Sequence, residues 1–322
     1  MRVALDATPL GIATGGIQRY TLQLQAALAA NFPGDRFDLL APEPGRWWST
    51  GLPRVLRSGG FSLFHGTDFA VPYLPLAPAV MTVHDLSPWR EEWRRETSSR
   101  VRRRTPWLLR LGLATMVITP TKAVRHEAIQ YFGLSSDKVV AVPHGVAGCF
   151  RPIVDGRADH PPYLLTVGTK GARKNLATAI AAAHAAGLEL WVAGRGEWLP
   201  EPGVRFLGAV AEAELPELYG RAAALLFPSH YEGFGLPVLE AMACGTPVIA
   251  SRDPALLEVT GGAALHCEAT DSLAWVEAIA AAIHQRPHLR QQGLIRAAEF
   301  TWAGSARLTQ SVYKEAICRY GR

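Results

Sequence analysis

Short apolar runs recur along this chain, each closed by glycine, proline or polar residues, and longer stretches with apolar positions three and four apart stand between them. Runs that are apolar at nearly every position read as strands buried on both faces, and the longer stretches read as the helices that cover them. In the first half the predicted strands are Val3–Asp6, Asp38–Ala41, Phe61–His65, Val80–His84, Met116–Thr119 and Val139–Val142. A helix opening at Gly15-Gly16 carries Ile17, Tyr20, Leu24 and Leu28 on one face. Two more are expected over the arginine-rich stretch 90–112 and over Lys122–Phe132, which stops at Gly133. The second half repeats the alternation, with strands at Tyr163–Val167, Glu189–Ala193, Val204–Leu207, Ala223–Phe227, Val248–Ala250 and Ala263–His266. Its helices fall at 175–186, 211–220, 236–244, 272–285, 288–299 and 303–320. Alternation of this kind predicts parallel α/β domains. The expected division is 1–147, then 148–302, with a proline-rich linker at 147–162 and a last helix at 303–322.

The most informative stretch is 228–251, where an apolar strand, a glycine loop, a helix and a second strand follow one another. Gly233 and Gly235 flank Phe234, Pro237 suits the first turn of a helix from about Leu236 to Ala243, and Gly245 suits its left-handed end. A glycine loop feeding a helix N-terminus presents backbone N–H groups to an anion. Yet Glu232 and Glu240 bracket the loop, and a carboxylate beside a phosphate needs another partner. Vicinal hydroxyls supply one, which points to a phosphate that carries sugars, a nucleotide sugar. A second anion site is expected at Arg173-Lys174, after the strand Tyr163–Val167 and before Asn175, read as the N-cap of the next helix. These two cations with the loop around Gly235 are enough to neutralise a diphosphate, and the chain has no Asp-x-Asp pair to hold a divalent ion. The expectation is therefore a metal-independent reaction with no cofactor.

The string Glu-Gly-Phe-Gly-Leu-Pro-x3-Glu, from Glu232 to Glu240, resembles the E-x7-E signature of the family 4 retaining glycosyltransferases. Val-Gly-x5-Lys-Asn at 167–175 is similar to that family's donor-diphosphate motif, with Thr169 where a basic residue often stands. Gly-Gly-Ile-x-Arg-Tyr from Gly15, and Val-His-Asp at 83–85, resemble its first-domain motifs. The resemblance implies a GT-B fold, two Rossmann-like domains with parallel sheets facing across a cleft, and a last helix returning to the first domain, for which Tyr313 and Tyr320 are the packing candidates. It also implies transfer of a sugar from a nucleotide sugar to an acceptor hydroxyl with retention, the departing phosphate helping to take the proton. On this reading Lys174 and Arg173 hold the diphosphate, Glu240 the ribose, Glu232 the sugar or phosphate region and His84 the sugar. Gly15, Gly16, Gly233, Phe234, Gly235 and Leu236 approach the donor, and Arg195, in Gly194-Arg195-Gly196, lies where the nucleoside is expected. Val-His-Asp-Leu-Ser-Pro resembles mannosyltransferase members and tilts the donor toward GDP-mannose, with UDP-sugars kept open. The rivals are a non-catalytic nucleotide-sugar-binding subunit and a nucleotide-sugar epimerase. Asp6, His65, Asp68 and His144 are weaker candidates at strand ends.

Composition narrows the rest. Residues 1–150 hold 17 Lys/Arg against 11 Asp/Glu, or +6, and residues 151–322 hold 16 against 17, or −1. Most of that excess lies between Arg90 and Arg104, among Trp89, Trp93 and Trp107. A basic segment with tryptophans suits an anionic membrane face or a lipid-linked acceptor, and equally a solvated helix. Nothing resembles a nucleic-acid recognition module. The four cysteines are scattered without disulfide or metal spacing, no apolar stretch is long enough to span a membrane, and a cytoplasmic location is expected.

Overall fold

The computed structural model describes residues 1–11, 15–42, 46–93, 99–153 and 161–320. It divides into two compact units, Met1–Gly145 with Thr301–Arg322, and Val146–Phe300.

Unit 1 has six parallel strands: β1 (Arg2–Asp6), β2 (Arg36–Leu40), β3 (Leu63–Gly66), β4 (Ala79–Thr82), β5 (Met116–Thr119) and β6 (Val139–Ala141), in the order β2-β1-β3-β4-β5-β6. Its α-helices are α1 (Gly16–Asn31), α2 (Leu52–Ser58), α3 (Ser99–Arg110), α4 (Lys122–Phe132) and, from the end of the chain, α11 (Trp302–Arg319). Strand parity sorts the core: Val3 and Leu5 pack with Tyr20 and Leu24 of α1 and Tyr313 of α11, whereas Ala4 packs with Trp48, Leu52 and Phe64 on the opposite face. Both faces are covered, which is why these strands read as unbroken apolar runs. Tyr313 is wholly buried, and Tyr320 Oη–H donates to the Pro75 carbonyl.

Unit 2 is built the same way from β7 (Tyr163–Val167), β8 (Glu189–Ala193), β9 (Val204–Gly208), β10 (Ala224–Phe227), β11 (Val248–Ser251) and β12 (Leu265–Cys267), in the order β12-β11-β10-β7-β8-β9. Its helices are α5 (Leu176–Ala185), α6 (Leu215–Arg221), α7 (Leu236–Ala243), α8 (Pro254–Thr260), α9 (Ser272–His284) and α10 (Arg286–Ala298). In each sheet the strand order reverses direction once, between β1 and β3 in unit 1 and between β7 and β10 in unit 2. Ligands of open α/β sheets sit beyond the carboxyl ends of the strands at such a reversal.

Two expectations need correction. The single helix expected over 90–112 is broken: Ser87–Trp89 and Glu91–Trp93 are 3-10 turns and α3 starts at Ser99, while Arg94, Arg95 and Glu96 lie outside the described residues. Pro88 and Pro106 are the local reasons for irregularity. Pro106 cannot donate to the Arg102 carbonyl four residues back, and the indole N–H of Trp89 takes that carbonyl instead at 3.1 Å. Second, Asn175 does not cap α5 with its side chain. It adopts a left-handed conformation (φ +51°), and its Nδ2–H group donates to the carbonyls of Pro228 (3.1 Å) and Ala269 (2.7 Å).

Candidate active site

The carboxyl ends of β7 and β10 bring together the two sequence motifs of unit 2. After β7 comes the loop 168–171 and a 3-10 turn, Ala172–Lys174; after β10 comes the loop 228–235 and then α7. Asn175 staples the first loop to the second through Pro228, and His230 N–H donates to the Arg173 carbonyl at 2.9 Å. The basic pair is therefore fixed against the acidic loop by backbone contacts.

The side chains close that contact. Lys174 Nζ donates to Glu232 Oε1 at 2.5 Å, and Arg173 Nη1 lies 3.4 Å from Glu232 Oε2 while donating to the Tyr231 carbonyl at 2.8 Å. Glu232 is only 7% exposed. Burial by itself pushes its carboxyl up, but the Lys174 and Arg173 cations outweigh that and hold it below its ordinary range. Two cations therefore meet Glu232 at the switch point. That answers the question of why a carboxylate stands here.

Gly235 precedes α7 with φ +91°, and a Cβ there would lie 2.5 Å from Leu256 Cδ2, so backbone conformation and space both require glycine. Gly233 and Phe234 are buried, the Phe234 ring packing edge-on to Phe300 at 5.9 Å, so Phe234 offers the site its backbone. Leu236 is half-buried at the first turn, and Gly245 ends the helix region with φ +76°, as expected. Glu240 is 2% exposed, and Tyr219 Oη–H donates to its Oε2 at 2.9 Å. Gly194 packs against the Gly168 carbonyl, leaving no room for a Cβ, and the Lys170 N–H donates to the Arg195 carbonyl at 2.8 Å. The exposed Arg195 thus stands on the loop beside the basic one. Lys174 also lines a cavity of about 470 Å³ with Gly168, Lys170, Ile180, Trp198 and Phe227.

Sequence reasoning missed Asp253. Its Oδ1 accepts the N–H groups of Ala255 and Leu256, capping α8, and its Oδ2 accepts the Glu232 N–H at 3.3 Å. Burial pushes its carboxyl up to about 6, the three N–H groups restraining the rise. The signal was present as Asp253-Pro254, an N-cap before a proline at the first helical position, but its link to Glu232 is tertiary.

In unit 1, His84 follows β4. Its Nε2 lies 2.7 Å from the Thr67 carbonyl and must donate, leaving Nδ1 as the acceptor. Burial holds its pKa down, the Thr67 bond opposing, so the ring is neutral near pH 7. Tyr20, Phe69 and His144 surround it at centroid distances of 4.9, 6.0 and 5.9 Å. His65 is internal: Nδ1 meets Tyr313 Oη at 2.7 Å and Nε2 meets Thr82 Oγ1 at 2.8 Å. Burial drops its pKa to about 3. Gly15 and Gly16 are exposed at the start of α1, where a Cβ on Gly15 would meet nothing. Among the described residues no group of three or more His, Cys, Asp or Glu is arranged to hold a metal ion, and no helix is long and apolar enough to cross a membrane.

Residues 14–147 match Glycosyltransferase Family 4 and residues 153–298 match the family described as glycosyl transferases group 1. The O-antigen chain mannosyltransferase B of Escherichia coli is 31% identical over 316 residues, spanning 87% of this chain and 79% of that protein. The chain belongs to glycosyltransferase family 4. Two solved structures show its fold: a sucrose-phosphate synthase from Thermosynechococcus elongatus (TM-score 0.77, 21% identity, 99% of each chain) and Anabaena HepE in complex with UDP-glucose (TM-score 0.74, 15% identity, 98% of this chain and 100% of that one). The glycosyltransferase is thus of the GT-B type, with a six-stranded parallel sheet in each unit.

Proposed function

We propose that this glycosyltransferase moves a sugar from a nucleotide sugar to an acceptor hydroxyl of a growing glycan, with retention at the anomeric carbon. The observation that carries the reading is the Lys174–Glu232–Arg173 triad at the β7/β10 reversal, beside the N-terminus of α7. A diphosphate entering there meets Lys174, which has two ammonium protons beyond the one given to Glu232, the Arg173 guanidinium, and the first-turn amides of α7. These groups neutralise the departing phosphate without a divalent metal.

In the reaction the bond from the anomeric carbon to the donor phosphate oxygen breaks, and the bond to the acceptor oxygen forms on the same face. The acceptor proton passes to the departing phosphate. Glu232, already held by cations, accepts from sugar hydroxyls, Glu240 from the ribose, and His84 accepts a sugar hydroxyl at Nδ1. Gly15, Gly16, Gly233, Gly235 and Leu236 allow close approach of backbone to donor, and Arg195 meets the base. GDP-mannose is the first donor to try, because the relative with 31% identity is a mannosyltransferase; a UDP-sugar is the second, because HepE holds UDP-glucose. The exposed Arg100, Arg103, Trp107 and Leu111 on and after α3 suit an anionic lipid surface, which binding to phosphatidylglycerol vesicles at low and high salt tests directly.

The deciding experiment is a thermal-shift screen with GDP-, UDP-, ADP- and dTDP-sugars, with and without EDTA. One donor at about a hundred times its dissociation constant adds about 2.7 kcal/mol of stability. EDTA is expected to change nothing, and Lys174→Ala to abolish the shift. A shift that requires Mn²⁺, or one that survives Lys174→Ala, refutes the assignment. NMR of the product's anomeric proton reads retention.

A further inference from the structure

Helix α3 of unit 1 has an inner side that is pinned and an outer side that is free. On the inner side Thr105 Oγ1–H donates to the Phe69 carbonyl at 2.8 Å, the Arg102 carbonyl accepts from the Trp89 indole N–H at 3.1 Å, and Leu108 and Leu109 are buried. Those contacts fix the rotation of the helix about its axis. With 3.6 residues per turn, Arg100, Arg103, Arg104 and Trp107 then share one stripe, and Leu111, whose N–H donates to the Trp107 carbonyl at 3.0 Å, prolongs it by a turn. Arg104 is half-buried and Arg100 and Arg103 are exposed. Trp107 and Leu111 are 56% and 55% exposed, so the stripe is basic at one end and apolar at the other.

The basic end walls a cavity of about 420 Å³, lined by Ser99, Arg100, Arg103, Arg104 and Trp107 of α3 and by Tyr73 of the loop between β3 and β4. Buried Trp48 supports two of these walls. The Arg104 guanidinium carbon lies 4.9 Å from the Trp48 ring centroid, and the Tyr73 ring lies 6.3 Å from the same ring. A guanidinium laid over an aromatic ring is held in orientation without loss of charge. Among the described residues lining the cavity there are three guanidinium groups, the hydroxyls of Ser99 and Tyr73, and no carboxylate. Each guanidinium carries N–H donors in a planar fork that matches two oxygens of one phosphate. Arginines spread along a helix would serve only solvation; these three converge on one concavity that opens beside exposed apolar surface.

We propose that this cavity seats the diphosphate of a lipid-linked acceptor, whose apolar chain runs over Trp107 and Leu111. The charges select the group. A phosphodiester brings about one negative charge and a diphosphate bonded at both ends about two, and three guanidiniums without a lining carboxylate suit the larger charge. A free anion would use the arginines and leave Trp107 and Leu111 against water; a neutral glycan would leave the three cations without a partner. An amphiphile satisfies both ends of the stripe in the order in which they stand. Such a site differs from general attraction to an anionic membrane, which needs cations on a face but no shaped cavity. Arg100, Arg103 and Arg104 bind the acceptor and take no part in the bond changes. The inference names the acceptor class for the transfer proposed above and rests on that reading, but acceptor binding is measured without a donor.

The test is titration calorimetry of the full chain with geranyl diphosphate, a soluble lipid diphosphate, and with sodium pyrophosphate and geraniol, which lack the chain and the anion respectively. Each titration is run on the native protein and on Lys174→Ala, which removes the anion site of unit 2. Geranyl diphosphate is expected to bind both proteins, at least tenfold more tightly than pyrophosphate binds Lys174→Ala, and geraniol to bind neither. Arg100→Lys with Arg103→Lys keeps the charge and removes two forks, so affinity for geranyl diphosphate should fall tenfold or more. Trp107→Ala should bring geranyl diphosphate to the level of pyrophosphate, and Arg110→Ala, exposed on the same helix but outside the cavity lining, should change nothing. All four substituted positions on α3 are exposed, and melting temperatures establish that each variant folds. No binding of geranyl diphosphate, or binding lost in Lys174→Ala, overturns the proposal. So does binding that tolerates the lysine pair or weakens as much in Arg110→Ala, which means diffuse attraction, and so does equal affinity for pyrophosphate, which means a free-anion site only. Failure of the transfer reading appears separately, as a nucleotide-sugar shift that survives Lys174→Ala while geranyl diphosphate binding stands.

Discussion

The two sheet edges of this molecule are built on one plan and charged in opposite ways. At the β7/β10 reversal a buried carboxylate, Glu232, is met by two cations and held below its ordinary pKa. At the β1/β3 reversal the carboxyls of Asp6 and Asp68 are both pushed up, chiefly by burial, with Arg104 opposing the rise. The same parallel α/β scaffold thus presents a cation-rich edge, fit for an anion, and a carboxylate-rich edge, fit for donors of hydrogen bonds. The scaffold sets where a ligand goes; the side chains at the strand ends set its charge.

Removing a cation from the first edge should have the largest effect. Lys174→Ala leaves Glu232 buried with weakened pairing, and breaking a buried ion pair costs about 3–5 kcal/mol, here nearer 2 because Arg173 remains and Lys174 is partly exposed. Turnover should fall at least a hundredfold along with stability. Lys174→Met combined with Glu232→Gln should restore the melting temperature without restoring turnover, separating the two losses. Recovery of activity in that double variant would show that the pair only supports the fold.

Gly235→Ala comes next. The left-handed backbone and the contact with Leu256 each oppose a methyl group, for a loss of about 1–3 kcal/mol by denaturant unfolding. An unchanged midpoint would mean that the loop before α7 is free to rearrange.

The third test compares the edges by pH. Asp68 binds its proton more tightly folded, at about 7, than at its ordinary value of 3.8, so stability is lost as pH climbs between those values. Asp68→Asn should therefore stabilise the protein at pH 8 by about 1–3 kcal/mol and leave it unchanged at pH 4. Glu232 runs the other way: its folded pKa is depressed, so its contribution is present at neutral pH and lost on acidification. Equal effects of Asp68→Asn at both pH values would remove the contrast between the edges.

Tyr313→Phe should give the smallest change, about 1 kcal/mol, by leaving His65 Nδ1 without its partner in the core. Thermal denaturation measures it.

Much of this was legible in the chain. Apolar runs of period-free character located the twelve strands of the described residues to within a few residues, because a parallel sheet covered on both faces has no solvent side to impose alternation. The segment Glu232–Glu240 announced its loop and helix through Gly235, Pro237 and Gly245, whose backbone demands are local. Helices α2 and α8, each seven residues long, were not anticipated. The 3-10 turns before α3 were hidden by a composition that suits a helix, with Pro88 as a local sign.

The sequence alone determined what local rules govern: strand positions, helix ends, the glycine loop, and the residue types able to hold a diphosphate. Only the tertiary structure decided which charges meet. That Lys174 closes on Glu232, that Asp253 takes the Glu232 N–H, and that Asp68 lies in the field of Asp6, Asp85 and Arg104 all depend on loops brought together by strand order. Pairing energies fall off within a few ångströms, and no periodicity along a chain encodes a distance of that kind between residues so far apart in sequence.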